Sequence, residues 1–110
     1  MDMKIALNAL SALSQQTRME VFRLLVRAGD EGMLSGEIGE VLGVRQNTMS
    51  TNLAILLNAG LVRNERQGRS VRYFADFEGI RSLLAFLLED CCGGQPERCG
   101  PLLDEIAFAC

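Results

Sequence analysis

The chain has 110 residues and a mass of 12.1 kDa, which predicts one domain with at most a short appendage. It contains no histidine, so imidazole bases, catalytic triads and histidine-ligated metal sites are excluded, and we do not expect an enzyme. The net charge of -3 conceals a basic segment, residues 45–72, in which five arginines and one glutamate give +4. Such a segment is typical of a phosphate-binding surface, although a solvated basic hairpin has the same composition.

The chain has no apolar run long enough to span a bilayer. The longest such run, residues 83–88, is far shorter than the roughly 20 residues required. The N-terminus also has no charged-then-apolar leader. We therefore expect a cytoplasmic protein that binds no membrane and keeps its cysteines as thiols.

Apolar residues spaced three and four apart predict helices over residues 3–13 and about 17–27. Ser35 is expected to cap a short third helix, and Gly43 to end it in the left-handed conformation. The apolar side of this helix is expected to contain Ile38, Val41 and Leu42.

A fourth helix is predicted to end at Asn58, after a connection of only a few residues from the third. Its buried stripe is expected to contain Met49, Leu53, Leu56 and Leu57. Two helices joined by a short turn containing glycine indicate a helix-turn-helix.

The outer face of the fourth helix carries neutral amides and hydroxyls where charged residues are usual. These side chains lower helix propensity, but they suit hydrogen bonds to base edges and phosphates in a major groove. A polar solvated helix is the alternative. We expect DNA contacts here from Arg45, Gln46, Asn47, Thr48, Ser50, Thr51 and Asn52.

Alternating residues predict a hairpin after this helix, with strands at residues 61–66 and 70–75 and a turn at 67–69. A hairpin in this place is a wing. Its arginines Arg66, Arg69 and Arg72 are expected to contact phosphates or a minor groove. A charge-guarded edge hairpin without a partner is compatible with the same residues.

The last long helix is predicted to begin near Asp76 or Glu78 and to reach Cys91. Its apolar stripe is wider than so small a monomer can cover. We therefore expect a homodimer formed by this helix and the first one, which would allow a two-fold symmetric operator to be read. The stripe contains Ile80, Leu83, Leu84, Leu87, Leu88 and Cys91.

Residues 1 to about 92 resemble the ArsR/SmtB-type winged-helix repressors. The resemblance lies in residues 12–18 (ALSQQTR), 46–53 (QNTMSTNL), 58–62 (NAGLV) and 69–73 (RSVRY). It implies a mainly α, homodimeric winged helix-turn-helix with a small β-hairpin. It also implies a DNA-binding and dimerisation domain over residues 1–92, a tail over 93–110, and a repressor that an inducer releases from double-stranded operator DNA.

Three cysteines, Cys91, Cys92 and Cys99, lie within nine residues, and Gly93 with Gly94 permits a sharp reversal between them. Three thiolates without a fourth ligand suit a soft, trigonal pyramidal ion such as As(III) or Sb(III). A subset of ArsR-type arsenic repressors carries a similar cluster after the last helix. The stretch that carries a Cys-Val-Cys pair in other arsenic sensors, residues 34–38 here, has no cysteine.

The resemblance therefore implies As(III) or Sb(III) as inducer, bound by Cys91, Cys92 and Cys99, with no organic cofactor. Cd(II), Pb(II), Hg(II), or an oxidant or persulfide, are alternative signals. A winged-helix interaction module without an operator is a further alternative.

A short helix over residues 101–109 is expected to begin at Pro101 and to turn Leu102, Leu103 and Ile106 inward. Cys110 has no assigned role.

Overall fold

Helices make up most of the fold, and a small antiparallel sheet completes it, in a computed structural model that describes residues 1–89, 93 and 96–109. This confirms the predicted fold class. The helices are α1 (Met3–Leu13), α2 (Gln16–Ala28), α3 (Ser35–Leu42), α4 (Gln46–Asn58), α5 (Phe77–Leu87) and α6 (Pro96–Ala109). The strands are β1 (Met33–Leu34), β2 (Val62–Gln67) and β3 (Ser70–Ala75). Within this part of the chain, no helix is both long and apolar enough to span a bilayer.

The core forms where α2, α3 and α4 meet. Val21 and Leu25 of α2, and Ile38 of α3, are fully buried. The predicted stripe of α4 is confirmed, since Met49, Leu53 and Leu56 are also fully buried and Leu57 is partly buried beside them. Each such side chain contributes about 1.5–3 kcal/mol by its removal from water. Val41 was predicted to lie on the apolar side of α3 with Ile38 and Leu42. Its side chain is 60% exposed, so that part of the α3 prediction is wrong.

The turn between α3 and α4 has the predicted geometry. Gly43 adopts a left-handed conformation at φ 66°, and the backbone N–H of Val44 donates to the Gly39 carbonyl at 3.0 Å. The N-cap prediction is wrong by one residue. Ser35 is the first helical residue, and the Glu37 carboxylate accepts a hydrogen bond from the Leu34 N–H at 2.8 Å.

The sheet has the strand order β1-β3-β2. β2 and β3 form the predicted wing, with Gln67 paired to Ser70 around a two-residue turn in which Gly68 has φ 66°. β1 was not predicted, because two residues are too few to show alternation. It fixes the other edge of β3 by pairing Met33 with Tyr73.

Both C-terminal helices differ from their predictions. α5 ends at Leu87, where the Glu89 N–H donates to the Phe86 carbonyl in a tighter turn, so the prediction that this helix extends to Cys91 is wrong. α6 begins at Pro96, so Pro101 lies inside the helix and not at its first position. Pro96 suits that first position because its missing N–H would have no helical partner there.

Candidate nucleic-acid interface

The outer face of α4 is polar and accessible. The structure exposes the predicted positions Arg45, Gln46, Asn47, Thr48, Ser50 and Thr51. Two of these side chains also make local hydrogen bonds: Asn47 Oδ1 accepts from the Thr48 N–H at 2.9 Å, and Thr51 Oγ1 donates to the Asn47 carbonyl at 3.2 Å. The first turn of α4 thus presents amide and hydroxyl groups on an ordered backbone, at the end of the helix where N–H groups attract phosphate.

Asn52 departs from the prediction that it contacts DNA. It is only 7% exposed, and its Oδ1 accepts a hydrogen bond from Arg18 Nη1 at 3.3 Å. In this structure the Asn52 side chain lies among the buried positions of α4 and is hydrogen-bonded within the domain. Its spacing from Met49 and Leu56 was the sequence signal that could have indicated this.

The wing carries two kinds of arginine. Arg66 and Arg69 are exposed at its tip, where the structure assigns them no partner within the described residues. Arg63, in contrast, lies over the Phe74 ring with 4.2 Å between its Cζ atom and the ring centroid, and it pairs with Glu65 at 3.3 Å. The tip arginines are therefore the wing cations available to a phosphate.

Arg72 was expected to contact DNA, and the structure places it differently. Its Nε donates to Gln67 Oε1 and its Nη1 to the Glu31 carbonyl, both at 3.1 Å. The half-buried side chain thus braces the wing against the turn that precedes β1. Glu31 is 41 positions away along the chain, so sequence spacing alone could not have indicated this contact.

The start of α4 and the tip of the wing lie on one side of the molecule. A surface cleft is lined there by Gln46, by Arg69 and Ser70 of the wing, and by Glu37 and Glu40 of α3. Groups suited to bases and groups suited to phosphates therefore share one face. Proteins that bind specific DNA sequences use both kinds of group, since base contacts select the sequence and phosphate contacts position the protein.

A second surface is apolar. The face of α1 that packs on its own chain carries the small residues Ala6, Ala9 and Ala12, while Met3, Leu7 and Leu10 point outward and are 62%, 57% and 39% exposed. α1 packs against α5, whose Leu84 and Leu87 are also exposed. The two helices predicted to form a dimer therefore both present long apolar side chains to solvent.

Of the three clustered cysteines, the structure describes only Cys99. Cys91 and Cys92 lie outside the described residues, as do Gly94 and Cys110. Cys99 was expected to precede the last helix, but it lies within α6 and is disulfide-bonded.

The exposure of α6 also differs from the prediction. Leu102, Leu103 and Ile106 were predicted to face inward, but they are 41%, 56% and 42% exposed. Among the residues that the structure describes, no three histidine, cysteine or carboxylate side chains are grouped to hold a metal.

Comparison with known proteins adds to this geometry. A helix-turn-helix domain family model matches residues 13–65. Halobacterium salinarum ArsR2, an inferred arsenical resistance operon repressor, is 36% identical over 81 residues, covering 74% of this chain and 66% of its own length. Bacillus subtilis YbzH, an uncharacterized HTH-type transcriptional regulator, is 35% identical over 69% of this chain and 88% of its own. The chain thus spans slightly less than two thirds of ArsR2 and most of YbzH.

One solved structure is informative about assembly. The homodimeric winged helix-turn-helix DNA-binding domain of Mb0332 from Mycobacterium bovis, described as a possible ArsR-family regulator, is 25% identical and has a TM-score of 0.65. The match covers 76% of this chain and 75% of that one. Fold, motifs and relatives agree: this chain belongs to the helix-turn-helix transcriptional regulators, and its winged helix-turn-helix fold matches that of ArsR-family structures.

Proposed function

We propose that this protein is a homodimeric repressor that binds operator DNA and is released when As(III) or Sb(III) binds Cys91, Cys92 and Cys99. The observation that carries the DNA-binding part is the shared face of α4 and the wing, where Gln46 and Arg69 line one cleft. In this proposal the first turn of α4 enters the major groove. Arg66 and Arg69 contact the flanking phosphates.

The dimer supplies the second half-site. The exposed apolar residues of α1 and α5 support an interface there, and the homodimeric Mycobacterium bovis domain has a comparable fold. Two copies related by a two-fold axis would place their recognition helices about one DNA turn apart, roughly 34 Å. The proposed operator is accordingly an inverted repeat.

Binding to the DNA upstream of the protein's own coding sequence, compared with random DNA of equal length over a range of salt concentrations, tests this part. We expect a clear preference for the upstream DNA. Gln46→Ala and Asn47→Ala should reduce that preference by about 1–3 kcal/mol each, because they remove hydrogen bonds to bases. Equal binding of both DNAs by the wild type would contradict an operator and favour the interaction-module alternative.

The inducer is proposed from the donor set. Three thiols, with no imidazole available anywhere in the chain, suit a thiophilic pyramidal ion. Arsenous acid, As(OH)3, would exchange its three hydroxyls for three sulfurs, each thiol proton leaving with a hydroxyl as water. No oxidant or reductant takes part, but Cys99 must first be in its thiol form. The name of the Halobacterium relative supports the arsenic assignment.

A redox signal is the second candidate, and the disulfide bond of Cys99 favours it. Here two thiols of the cluster would lose two electrons and two protons to a peroxide, giving a disulfide and water. Operator binding by the reduced protein, with arsenite, cadmium or peroxide added separately, distinguishes the candidates. Release by arsenite under reducing conditions supports the first proposal, and release by peroxide alone supports the second.

A further inference from the structure

Among the residues that the structure describes, Asn52 is the one polar residue that is buried. It lies on α4, the helix proposed to contact DNA. Its neighbours on the same side of α4 are Met49, Leu53 and Leu56, all fully buried. Burying an amide costs free energy unless its hydrogen bonds are made. The bond that Asn52 Oδ1 accepts from Arg18 Nη1, at 3.3 Å, supplies such a partner.

Arg18 has a second contact on a different helix. Its Nε donates to the carbonyl oxygen of Ala12, in the last turn of α1, at 2.6 Å. Carbonyl groups in the last turn of a helix have no partner within the helix, and a guanidinium there also suits the helix dipole. One planar group on α2 therefore joins the end of α1 to the middle of α4.

The position of Arg18 relates this contact to the apolar face of α1. Arg18 lines a surface depression together with Leu7 and Leu10 of that face, and with Gln15, whose Oε1 accepts from the Arg18 N–H at 2.9 Å. The guanidinium thus lies between the helix expected at the dimer interface and the recognition helix.

We propose that Arg18 and Asn52 form a positioning tie that sets the direction of α4 relative to α1, and so the presentation of α4 to an operator. Apolar contacts in the core hold α4 in place but are not directional. Hydrogen bonds from a rigid guanidinium are directional, and they fix the rotation of α4 about its axis. The inference rests on the proposed operator binding, and it assigns Asn52 an indirect role in specificity.

Two substitutions of Asn52 distinguish positioning of α4 from direct DNA contact and from a purely structural role. Asn52→Asp keeps the size of the side chain and an acceptor oxygen for Arg18, and the charge-assisted bond should be at least as strong. Asn52→Leu keeps a similar volume and removes the acceptor. We expect Asn52→Leu to weaken operator binding about tenfold and random-DNA binding less than about twofold, whereas Asn52→Asp retains the preference of the wild type.

The outcomes are decisive in each direction. If Asn52 contacted a base or phosphate directly, Asn52→Asp would lose affinity together with Asn52→Leu, because its carboxylate would be repelled by DNA. A purely structural role would lower the unfolding free energy of Asn52→Leu and leave the operator preference of the folded protein unchanged. Either result overturns the proposal. Arg18→Gln, which is too short to reach both partners, should match Asn52→Leu.

Amide hydrogen exchange of the free protein tests the tie even if the wild type prefers no DNA sequence. In that case the proposed operator function fails, but the tie still predicts faster exchange in the last turn of α1 and the middle of α4 for Asn52→Leu. Asn52→Asp should exchange like the wild type. Equal exchange rates in all three proteins would exclude the tie itself.

Discussion

Gly79 in α5 packs directly against the backbone carbonyl of Gly60, the residue that turns the chain from α4 into the wing. A Cβ atom at position 79 would overlap that carbonyl oxygen, so glycine is required there. The Asp76 N–H nearby donates to the Leu61 carbonyl at 2.9 Å, and the Asp76 carboxylate caps the start of α5. α5, the helix with exposed apolar residues, therefore contacts the turn that follows α4 through backbone atoms.

Gly79→Ala should destabilise the protein although alanine favours helix. The propensity gain is about 1 kcal/mol, but the overlap with Gly60 must be relieved by moving backbone, at a typical cost of 1–3 kcal/mol or more. Gly36→Ala is the matched control, because a Cβ at position 36 meets nothing within 4 Å. Urea unfolding should show a lower midpoint for Gly79→Ala and an unchanged or higher one for Gly36→Ala. Equal midpoints for both variants would show that the contact is not tight.

The apolar faces of α1 and α5 give a prediction about assembly. Leu7→Glu or Leu84→Glu should raise the dimer dissociation constant at least about 100-fold, since each places an unpaired charge in the interface. Val41→Glu changes an equally exposed apolar residue on α3 and should leave the dimer intact. Sedimentation velocity over a concentration series measures this. A dimer that survives both leucine substitutions would place the interface elsewhere.

The two kinds of wing arginine should differ in the salt dependence of DNA binding. Arg69→Ala should lower the slope of log affinity against log salt by about 0.9, on operator and random DNA alike, because one phosphate contact is lost. Arg63→Ala should leave the slope unchanged, since Arg63 is held by Phe74 and Glu65. Fluorescence anisotropy at several salt concentrations gives both slopes. A larger effect for Arg63 than for Arg69 would reverse the assigned roles.

Glu78 and Arg81 form an exposed ion pair at the start of α5. The hydrogen bond from Arg81 and its positive charge hold the pKa of Glu78 below the ordinary value of 4.5. The pair therefore stabilises the fold fully above that value, and its contribution is lost as the pH falls through the lowered pKa. The difference in unfolding free energy between wild type and Glu78→Gln should be small at neutral pH and vanish in acid. Arg81→Gln should show the same trend, and a difference that grows in acid would contradict the pair.

Much of the fold followed from periodicity and glycine placement. The turn at Gly43, the stripe of α4 and the strand Ser70–Ala75 were all predictable, because each is a local pattern. β1 was not, since its two residues acquire their conformation only by pairing with β3. The spacing of Asn52 from Met49 and Leu56 indicates its burial, but its hydrogen bond to Arg18 spans 34 positions, and the bond from Arg72 to Glu31 spans 41. Contacts of such long range leave no local pattern in the sequence.

The first helix shows a different limit. Met3, Leu7 and Leu10 are the apolar residues whose helical spacing predicts this helix, but the residues that it buries within the chain are Ala6, Ala9 and Ala12. Small side chains allow α1 to approach α2 and α4 closely, and the long side chains are left on the outside. The sequence pattern thus identified an apolar face correctly, while the structure shows that a second face does the packing.

The most direct test of the proposed repressor is an arsenite titration of the operator complex under reducing conditions. Wild-type protein and the triple variant Cys91→Ser, Cys92→Ser, Cys99→Ser would be compared by anisotropy of a labelled operator. Arsenite should weaken wild-type binding between about 5-fold and 150-fold, the usual range of coupling between two sites, and leave the triple variant bound. Release of the triple variant by the same arsenite concentration, or no release of the wild type, would contradict arsenic sensing by these cysteines.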